Sequence, residues 1–472
     1  MPLMGRRCIL SDVECITKDN VLDVLTKAIC KHTHVRAEIN YLIRYEKGDQ
    51  PILKREKEVR PEINNRIVEN HASEVINFYR GYIFGSPIAY TQRATEDTNG
   101  SKTEKTDNAN ISALNEMFFE ESKASKDQQL AYDFLTCGVG YRMLLPKKKV
   151  LGTSPFDLIQ LPCDRTFLIY SSSVYHNVLA GVIYYKDDDE MVHFTVYTDN
   201  EVLFIDGTHS SANKIVRVEA NRIGVIPIVE YKANYDRTGM FERALPLLDA
   251  INLNTSDRLN GLAQHIQSFV WMNNCEINKE QAEQLHDDLM LLTKNIDGAN
   301  QASVQYLTSP LNQDQEQTLK DDLYNQLLQI TGVPNRETNT GGDTGQAVQL
   351  RNGFEIAESN AKSIELVFKE CDKELLKVAL QIIRKSNDIN IDMSSLKLSD
   401  IDIQSSRNRT DGLITKIQAF SQGVAAGIHP LHMLNIIGLF SDSHQVYIDS
   451  QPYLNKWKYD ENDAEAEDEN SV

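Results

Sequence analysis

Between Ala347 and Ile382 the apolar residues recur with gaps that alternate between three and four. Ala347, Leu350, Phe354, Ala357, Ala361, Ile364, Phe368, Cys371, Leu375, Val378 and Ile382 all obey that spacing. It lays them along one stripe of an α-helix, so 346–385 is predicted as a single long helix. At ~1.5 Å per residue such a helix would run roughly 60 Å, more than a compact core usually needs. Two readings fit: a long core helix of an α-rich protein, or the backbone of an elongated subunit packed beside copies of itself.

The stretch before it, Thr331–Gly345, holds four glycines, a proline and short polar residues, which forbid a regular element. Asp343 or Thr344 is placed to cap the helix that follows. Arg336 against Glu337 and Asp343 leaves the loop at −1, with little apolar after Val333 and Pro334. A loop of that composition cannot bury itself and should project into solvent.

The 472 residues allow two to four domains, and 41% hydrophobic with 25% charged residues is a globular composition. A net charge of −19 repels nucleic acid and anionic membranes and counts against a sequence-reading DNA-binding protein, but not against one past which DNA slides. Seven scattered cysteines without a C-x-x-C pair read as reduced thiols. No apolar segment follows Arg6 and Arg7 as a signal peptide would require. The uncharged run Ile417–Ser441 holds too many polar residues for a hydrocarbon span, and is predicted as two helices broken near Gly427–Pro430.

Along the chain, helical spacing is expected over 21–47, from Glu62 to Tyr82, and from Ile111 to Leu135, with Thr95–Asn110 as a polar surface loop. Lys54–Arg60 is a basic surface run. Residues 141–232 read as β, most plainly where Val192, Phe194 and Val196 alternate with His193, Thr195 and Tyr197. Asp187-Asp188-Asp189-Glu190 lacks the spacing and glycine of a calcium loop and reads as a solvated turn. Helices are expected from Phe241 towards Trp271, over Glu280–Leu292 and over Asp314–Ile330, with a strand at Ala302–Leu307. The first and last bracket a small excursion, as a protrusion on a helical stalk would. Further helices are expected at Asp411–Phe420 and Pro430–Phe440. Seven acidic residues in the ten from Asp460 to Glu469 read as a disordered tail.

No catalytic motif stands out. The cluster Gly341-Gly342-Asp343-Thr344-Gly345 has no lysine for a phosphate, and no H-E-x-x-H or G-x-S-x-G is present. His32 with His34, and His429 with His432, have no matching carboxylates and read as structural. The expectation is a protein that is not an enzyme and carries no cofactor or metal, with an unrecognised nuclease or hydrolase as the outlying alternative.

Three stretches together resemble the tailed-phage portal proteins, the head–tail connectors of phages of Gram-positive bacteria. Arg80-Gly81-Tyr82-Ile83-Phe84-Gly85-Ser86-Pro87-Ile88 resembles that family's helix-to-strand turn. Ile226–Tyr231 with Asn234, Arg237, Gly239 and Phe241, then Leu248, Asp249, Asn252, Ser256 and Asp257, resembles its entry into a stem helix. Ile330–Pro334 followed by Thr344–Ala347 resembles its tunnel loop and the helix behind it. The likeness covers about residues 60–385.

The resemblance implies an α+β, mainly helical, elongated subunit that assembles into a ring. Its parts would be a wing over 1–240 (helical, then β-rich over 141–232), a stem helix over 241–270, a clip over 271–311 and a second stem helix over 312–330. The tunnel loop over 331–345, the long helix over 346–385, a crown over 386–460 and the acidic tail over 461–472 would complete it. It further implies a homo-oligomer, typically of twelve copies, at one capsid vertex of a virion assembled in the host cytoplasm. Double-stranded DNA would pass through non-specifically in packaging and ejection. The other partners would be a terminase large subunit, a head-completion adaptor, and capsid and scaffolding proteins, with no membrane. In that setting Asn335, Arg336, Glu337, Thr338, Asn339, Thr340, Gly341 and Gly342 would meet the DNA, and Glu280, Glu283, Asp287 and Asp288 would form the docking face of the clip. The competing class is a polymerising structural or adaptor protein with long helices and no DNA channel.

Overall fold

The computed structural model describes residues 7–58, 60–93, 103–150, 152–189, 191–266, 269–273, 275–276, 294–295, 303–307, 313–335, 353–386, 396–405, 413–437, 446–447 and 449–453. In chain order its elements are β1 (Ile9–Ser11), α1 (Val21–Glu46), α2 (His71–Phe84), β2 (Ala89–Gln92), α3 (Thr103–Glu120), α4 (Lys123–Cys137), β3 (Val139–Pro146), β4 (Phe156–Leu161), β5 (Thr166–Ser171), β6 (Val178–Lys186), β7 (Val192–Tyr197) and β8 (Glu201–Gly207). They continue as β9 (Ala212–Ala220), β10 (Ile228–Lys232), α5 (Leu245–Ile266), β11 (Phe269–Asn273), β12 (Cys275–Glu276), β13 (Lys294–Asn295), β14 (Ser303–Leu307), α6 (Gln313–Thr331), α7 (Phe354–Lys385), β15 (Ile401–Gln404), α8 (Leu413–Ala425) and α9 (Pro430–Ile437). The fold is therefore α+β, in two compact units.

The first unit takes residues 1–47, 72–243 and 331–472. Its larger sheet has the order β1-β5-β6-β7-β8-β9, an antiparallel meander with β1 parallel to β5 at the edge. In β7 burial alternates residue by residue, as a period of two requires. The inward residues Phe167, Ile169, Val182, Val192, Phe194, Leu203 and Ile205 pack with Val21, Val24, Leu25, Ala28 and Ile29 of α1. Further along, Ile39 of α1 joins a second cluster with Cys137, Val139, Tyr141, Met143 and Leu161. That cluster lies at the smaller sheet β10-β3-β4. The acidic turn before β7 is closed by Asp187, whose carboxylate accepts from the Met191 N–H (2.9 Å) and faces His193 Nε2 (2.9 Å).

The second unit takes residues 48–71 and 244–330, and contains α5 and almost all of α6. Residues 62–70, expected as the start of a helix, are not helical, and α2 begins only at His71. α5 ends at Ile266, and β11, where the helical stripe was expected to run on, pairs antiparallel with β14 from Phe269↔Leu307 to Asn273↔Ser303. β-branched and aromatic residues at 269–271 favour that pairing.

Two other boundaries differ from expectation. α3 starts at Thr103, inside the predicted polar loop, because Lys, Glu and Ala outweigh the short polar residues and no glycine or proline interrupts 103–120. α7 starts at Phe354, because Gly353 adopts a left-handed φ of 79° that an α-helix cannot continue through, and residues 346–352 of the expected helix lie outside the described residues. Ala347 and Leu350 lie outside the described residues. Gly427, at φ 89°, ends the turn after α8 before Pro430 opens α9, where a break was expected. β15 pairs with β2 from Ile401↔Gln92 to Gln404↔Ala89. Among the described residues no helix is long and apolar enough to cross a membrane, and no group of three or more His, Cys, Asp or Glu is placed to hold a metal ion. The 280–292 segment and the acidic tail lie outside the described residues.

Candidate functional site

The loop singled out from the sequence enters the described structure at its base. α6 ends at Thr331, and Gly332 follows with φ 70°. A left-handed residue just past a helix end lets the last carbonyls find donors, and glycine takes it without steric cost. Here the need is doubled, since a Cβ on Gly332 would stand 2.3 Å from Asn360 Nδ2 and 2.9 Å from the Tyr79 hydroxyl oxygen.

Those two groups form the clamp. The Tyr79 hydroxyl donates to the Thr331 carbonyl (2.7 Å) and accepts from Asn360 Nδ2 (3.1 Å). Tyr79 and Thr331 are buried, and burial pushes the Tyr79 phenol above its ordinary value, so it stays a donor. α2 and α7 are thus tied to the loop base, and the Tyr82 hydroxyl adds a bond to Glu358 of α7 (2.8 Å). Val333 is buried just beyond. Of the predicted DNA-contact residues, Asn335 is described, at the end of this anchored base and half-buried. Arg336, Glu337, Thr338, Asn339, Thr340, Gly341 and Gly342 lie outside the described residues, as do Glu280, Glu283, Asp287 and Asp288.

Behind the clamp, α7 buries the face the spacing predicted, with Ala357, Ala361, Ile364, Phe368, Cys371, Leu375, Val378 and Ile382 all inside. Phe368 packs against Phe84 and Tyr231, both with ring centroids at 5.1 Å. One turn on stands Asp372, fully buried, a residue that sequence reasoning did not single out. It accepts from the Tyr90 hydroxyl (2.8 Å) and the Tyr231 hydroxyl (2.7 Å), with Lys123 Nζ at 3.8 Å. Lys123 in turn meets Asp127 (2.7 Å), and Asp127 meets Arg142 (2.7 Å). Two cations and two carboxylates therefore share one buried site, which is how buried charge is tolerated. Burial, and then the neighbouring carboxylates, push both tyrosines well above their ordinary values. The network joins α7 to β2, β10, α4 and β3.

A second buried pair holds the chain at the end of β10. Arg237 meets Glu230 at 2.6 Å, and Glu230 also accepts from Tyr170 (2.7 Å) and Tyr141 (3.2 Å). Arg7 reaches in to donate to the carbonyls of Cys137 (2.6 Å) and Arg237 (2.5 Å) and pairs with Glu242 (2.9 Å). Gly138, at φ 82°, approaches so closely that a Cβ would lie 2.1 Å from the Arg237 carbonyl oxygen.

In the second unit, α5 presents a polar stripe inward. Asn252, Ser256 and Asn260 are buried, and their side-chain oxygens accept from the backbone N–H groups of Glu69 (2.8 Å), Ile67 (2.9 Å) and Asn65 (2.7 Å). Four helical residues rise ~6.0 Å, and two extended residues about 6.6 Å. The i, i+4, i+8 stripe of the helix can therefore read every second N–H of the extended segment. Glu69 also accepts from Thr255 (2.5 Å), meets Lys320 of α6 (2.7 Å) and faces His71 (3.1 Å). The His71 bond, against a smaller opposing effect of burial, holds its carboxyl down to about 2 with help from Lys320 and Thr255. The apolar stripe opened by Leu248 and Ile251 is buried, but its continuation at Leu259 and Leu262 is exposed, as is Leu253.

Residues 26–435 match the family model described as phage portal protein, SPP1 Gp6-like. No match is found among curated proteins. Among solved structures, the chain is similar to one from the neck of an empty gene transfer agent particle computed with C6 symmetry. The TM-score there is 0.47 at 11% identity, over 85% of this chain and 94% of that one. It is also similar to a chain from the virion of a native gene transfer agent particle, with TM-score 0.45, 12% identity, 85% of this chain and 94% of that one. A third is from the neck of a native particle computed with C12 symmetry, with TM-score 0.43, 13% identity, 78% of this chain and 89% of that one.

Proposed function

The chain belongs to the SPP1 Gp6-like phage portal proteins, and on that footing we propose that it forms the ring at one capsid vertex through which double-stranded DNA is packaged and later ejected. The observation that carries the reading furthest is the anchored loop base. The Tyr79 and Asn360 clamp fixes Thr331–Val333 to α2 and α7, while residues 335–342 supply short polar side chains and one arginine. Such a loop, set towards a channel, touches phosphates weakly. Weak contact suits sliding, since each firm phosphate contact adds binding free energy that must be undone for the duplex to move. The net charge of −19 acts in the same sense.

The ring itself is supported by α5, where Leu253, Leu259 and Leu262 stand exposed in a single chain. Burial against a neighbouring copy gives those leucines their place. Residues 271–311 serve as the clip on which a terminase and then a head-completion adaptor dock, with Glu280, Glu283, Asp287 and Asp288 as the docking face. DNA packaging in a reconstituted system tests both assignments. Deleting Glu337–Gly342, or replacing Gly341 and Gly342 by proline, should leave assembly intact and sharply lower packaging or retention. Charge reversal at Glu283 and Asp287 should lower packaging while oligomers still form. Normal packaging by the loop variants would remove the loop from the DNA path, and by the clip variant would return that segment to a plain solvated surface.

A further inference from the structure

One histidine set aside as structural from the sequence lines a cavity in the first unit. Ile29, His32, Thr33 and Arg36, spaced i, i+3, i+4 and i+7 on α1, face Phe167, Tyr184 and Phe194 of β5, β6 and β7, and the exposed His209 completes the lining. Between them lies a cavity of about 150 Å³. His32 is 2% exposed, and neither of its ring nitrogens has a hydrogen-bond partner. Its ring lies 4.5 Å from Phe167 and meets Tyr184 edge-on at 5.7 Å. Arg36 spans the same wall, its guanidinium 5.9 Å from the centre of the Tyr184 ring and its buried Nε without a hydrogen-bond partner, Asp164 standing 3.9 Å away as an ion-pair partner only. The Thr33 hydroxyl is already spent on the Ile29 carbonyl (2.9 Å).

Buried imidazoles ordinarily give their N–H to a carbonyl or carboxylate and so fix a tautomer. This one does neither. Burial, and then the Arg36 charge, lower its pKa to about 3, so at neutral pH it offers one N–H and one lone pair. We propose that this cavity is a binding site for a neutral phenol-type ring. Three properties choose that class. A cavity of about this volume takes a benzene-sized molecule. Its walls are aromatic, and offset or edge-on ring contacts favour a flat aromatic guest. A phenolic hydroxyl both donates and accepts, so it can give its proton to the His32 lone pair while taking an N–H from Arg36. Charge excludes the nearest rivals: Asp164 lies 3.9 Å from Arg36, so a carboxylate guest would give up its hydration beside a cation already partnered.

The ring reaches the site either as a free small molecule or as the side chain of a tyrosine. Calorimetric titration of the full chain with p-cresol, toluene and N-acetyltyrosinamide separates these. One p-cresol should bind per chain, about tenfold or more tighter than toluene, which has the same shape and no hydroxyl. In His32→Leu that preference should vanish, the two ligands binding within about threefold of each other. Equal binding of p-cresol and toluene to the unaltered chain, no binding of either, or a preference surviving in His32→Leu would overturn the proposal. Should His32→Leu fail to fold by circular dichroism, Ile29→Phe narrows the cavity instead and must abolish p-cresol binding, whose persistence would place the ligand elsewhere. N-acetyltyrosinamide binding like p-cresol assigns the ring to a tyrosine-bearing chain, and its exclusion assigns it to a free phenol.

Discussion

Asp372 and Gly332 are where single residues bear most on the account. Replacing Asp372 by alanine leaves Tyr90, Tyr231 and Lys123 facing an empty, dry site. Removing one partner from a buried charge network costs about 3–5 kcal/mol, and asparagine at the same place, which fills the site and keeps one oxygen to accept a tyrosine hydroxyl while its NH2 faces the other, should cost clearly less. Denaturant unfolding of the two variants checks the order, and an alanine variant as stable as asparagine would contradict it. Gly332→Ala must hold φ 70° with a Cβ against Asn360, a strain on the order of 1–3 kcal/mol. Tyr79→Phe leaves the Thr331 carbonyl short of its donor, at about 1–2 kcal/mol. Both positions stand in or beside stretches the sequence had drawn attention to, Gly332 in the loop and Tyr79 next to the Gly81–Ile88 turn. Asp372, Lys123 and Asp127 were not legible, because each sits in a polar helix segment, and Arg142, a lone charge in an apolar strand, finds its buried partner only once distant elements meet.

Elements with a single strong period were readable, and elements held by long-range polar contacts were not. α7 and β7 declare themselves through spacings of 3.6 and 2, since their burial is decided by one neighbouring face. The 62–70 segment also carries apolar residues at helical spacing, yet it is not helical, because Asn252, Ser256 and Asn260 take N–H groups a helix would have used. Nothing local to 62–70 encodes that. The stripe on α5 was visible as asparagines and a serine on a helix, but its partner was not. Glu69 makes the ladder sensitive to acid: its carboxyl is held near 2 in the fold against an ordinary 4.5. A depressed pKa contributes stability that is complete above the unfolded value and is lost as pH falls through the folded one. The second unit should therefore weaken between about pH 4.5 and 2, and Glu69→Gln should flatten that part of the profile. Thermal unfolding followed against pH reads this, and an unchanged acid limb in Glu69→Gln would remove Glu69 from it.

For the whole molecule, the central claim is that chains of this kind close into a ring around DNA. The exposed Leu253, Leu259 and Leu262 of α5 are 45%, 39% and 39% accessible in a single chain. Covering such partly exposed leucines contributes roughly 1 kcal/mol each per subunit, so a glutamate pair at 259 and 262 should weaken assembly without unfolding the chain. Removing Asp460–Val472 should change neither folding nor assembly, and light scattering on both variants distinguishes the two expectations. The most direct measurement is negative-stain imaging of the purified, concentrated protein. The account predicts closed rings with a central opening wide enough for a DNA duplex. Open filaments, or compact single subunits at every concentration and salt, would contradict it.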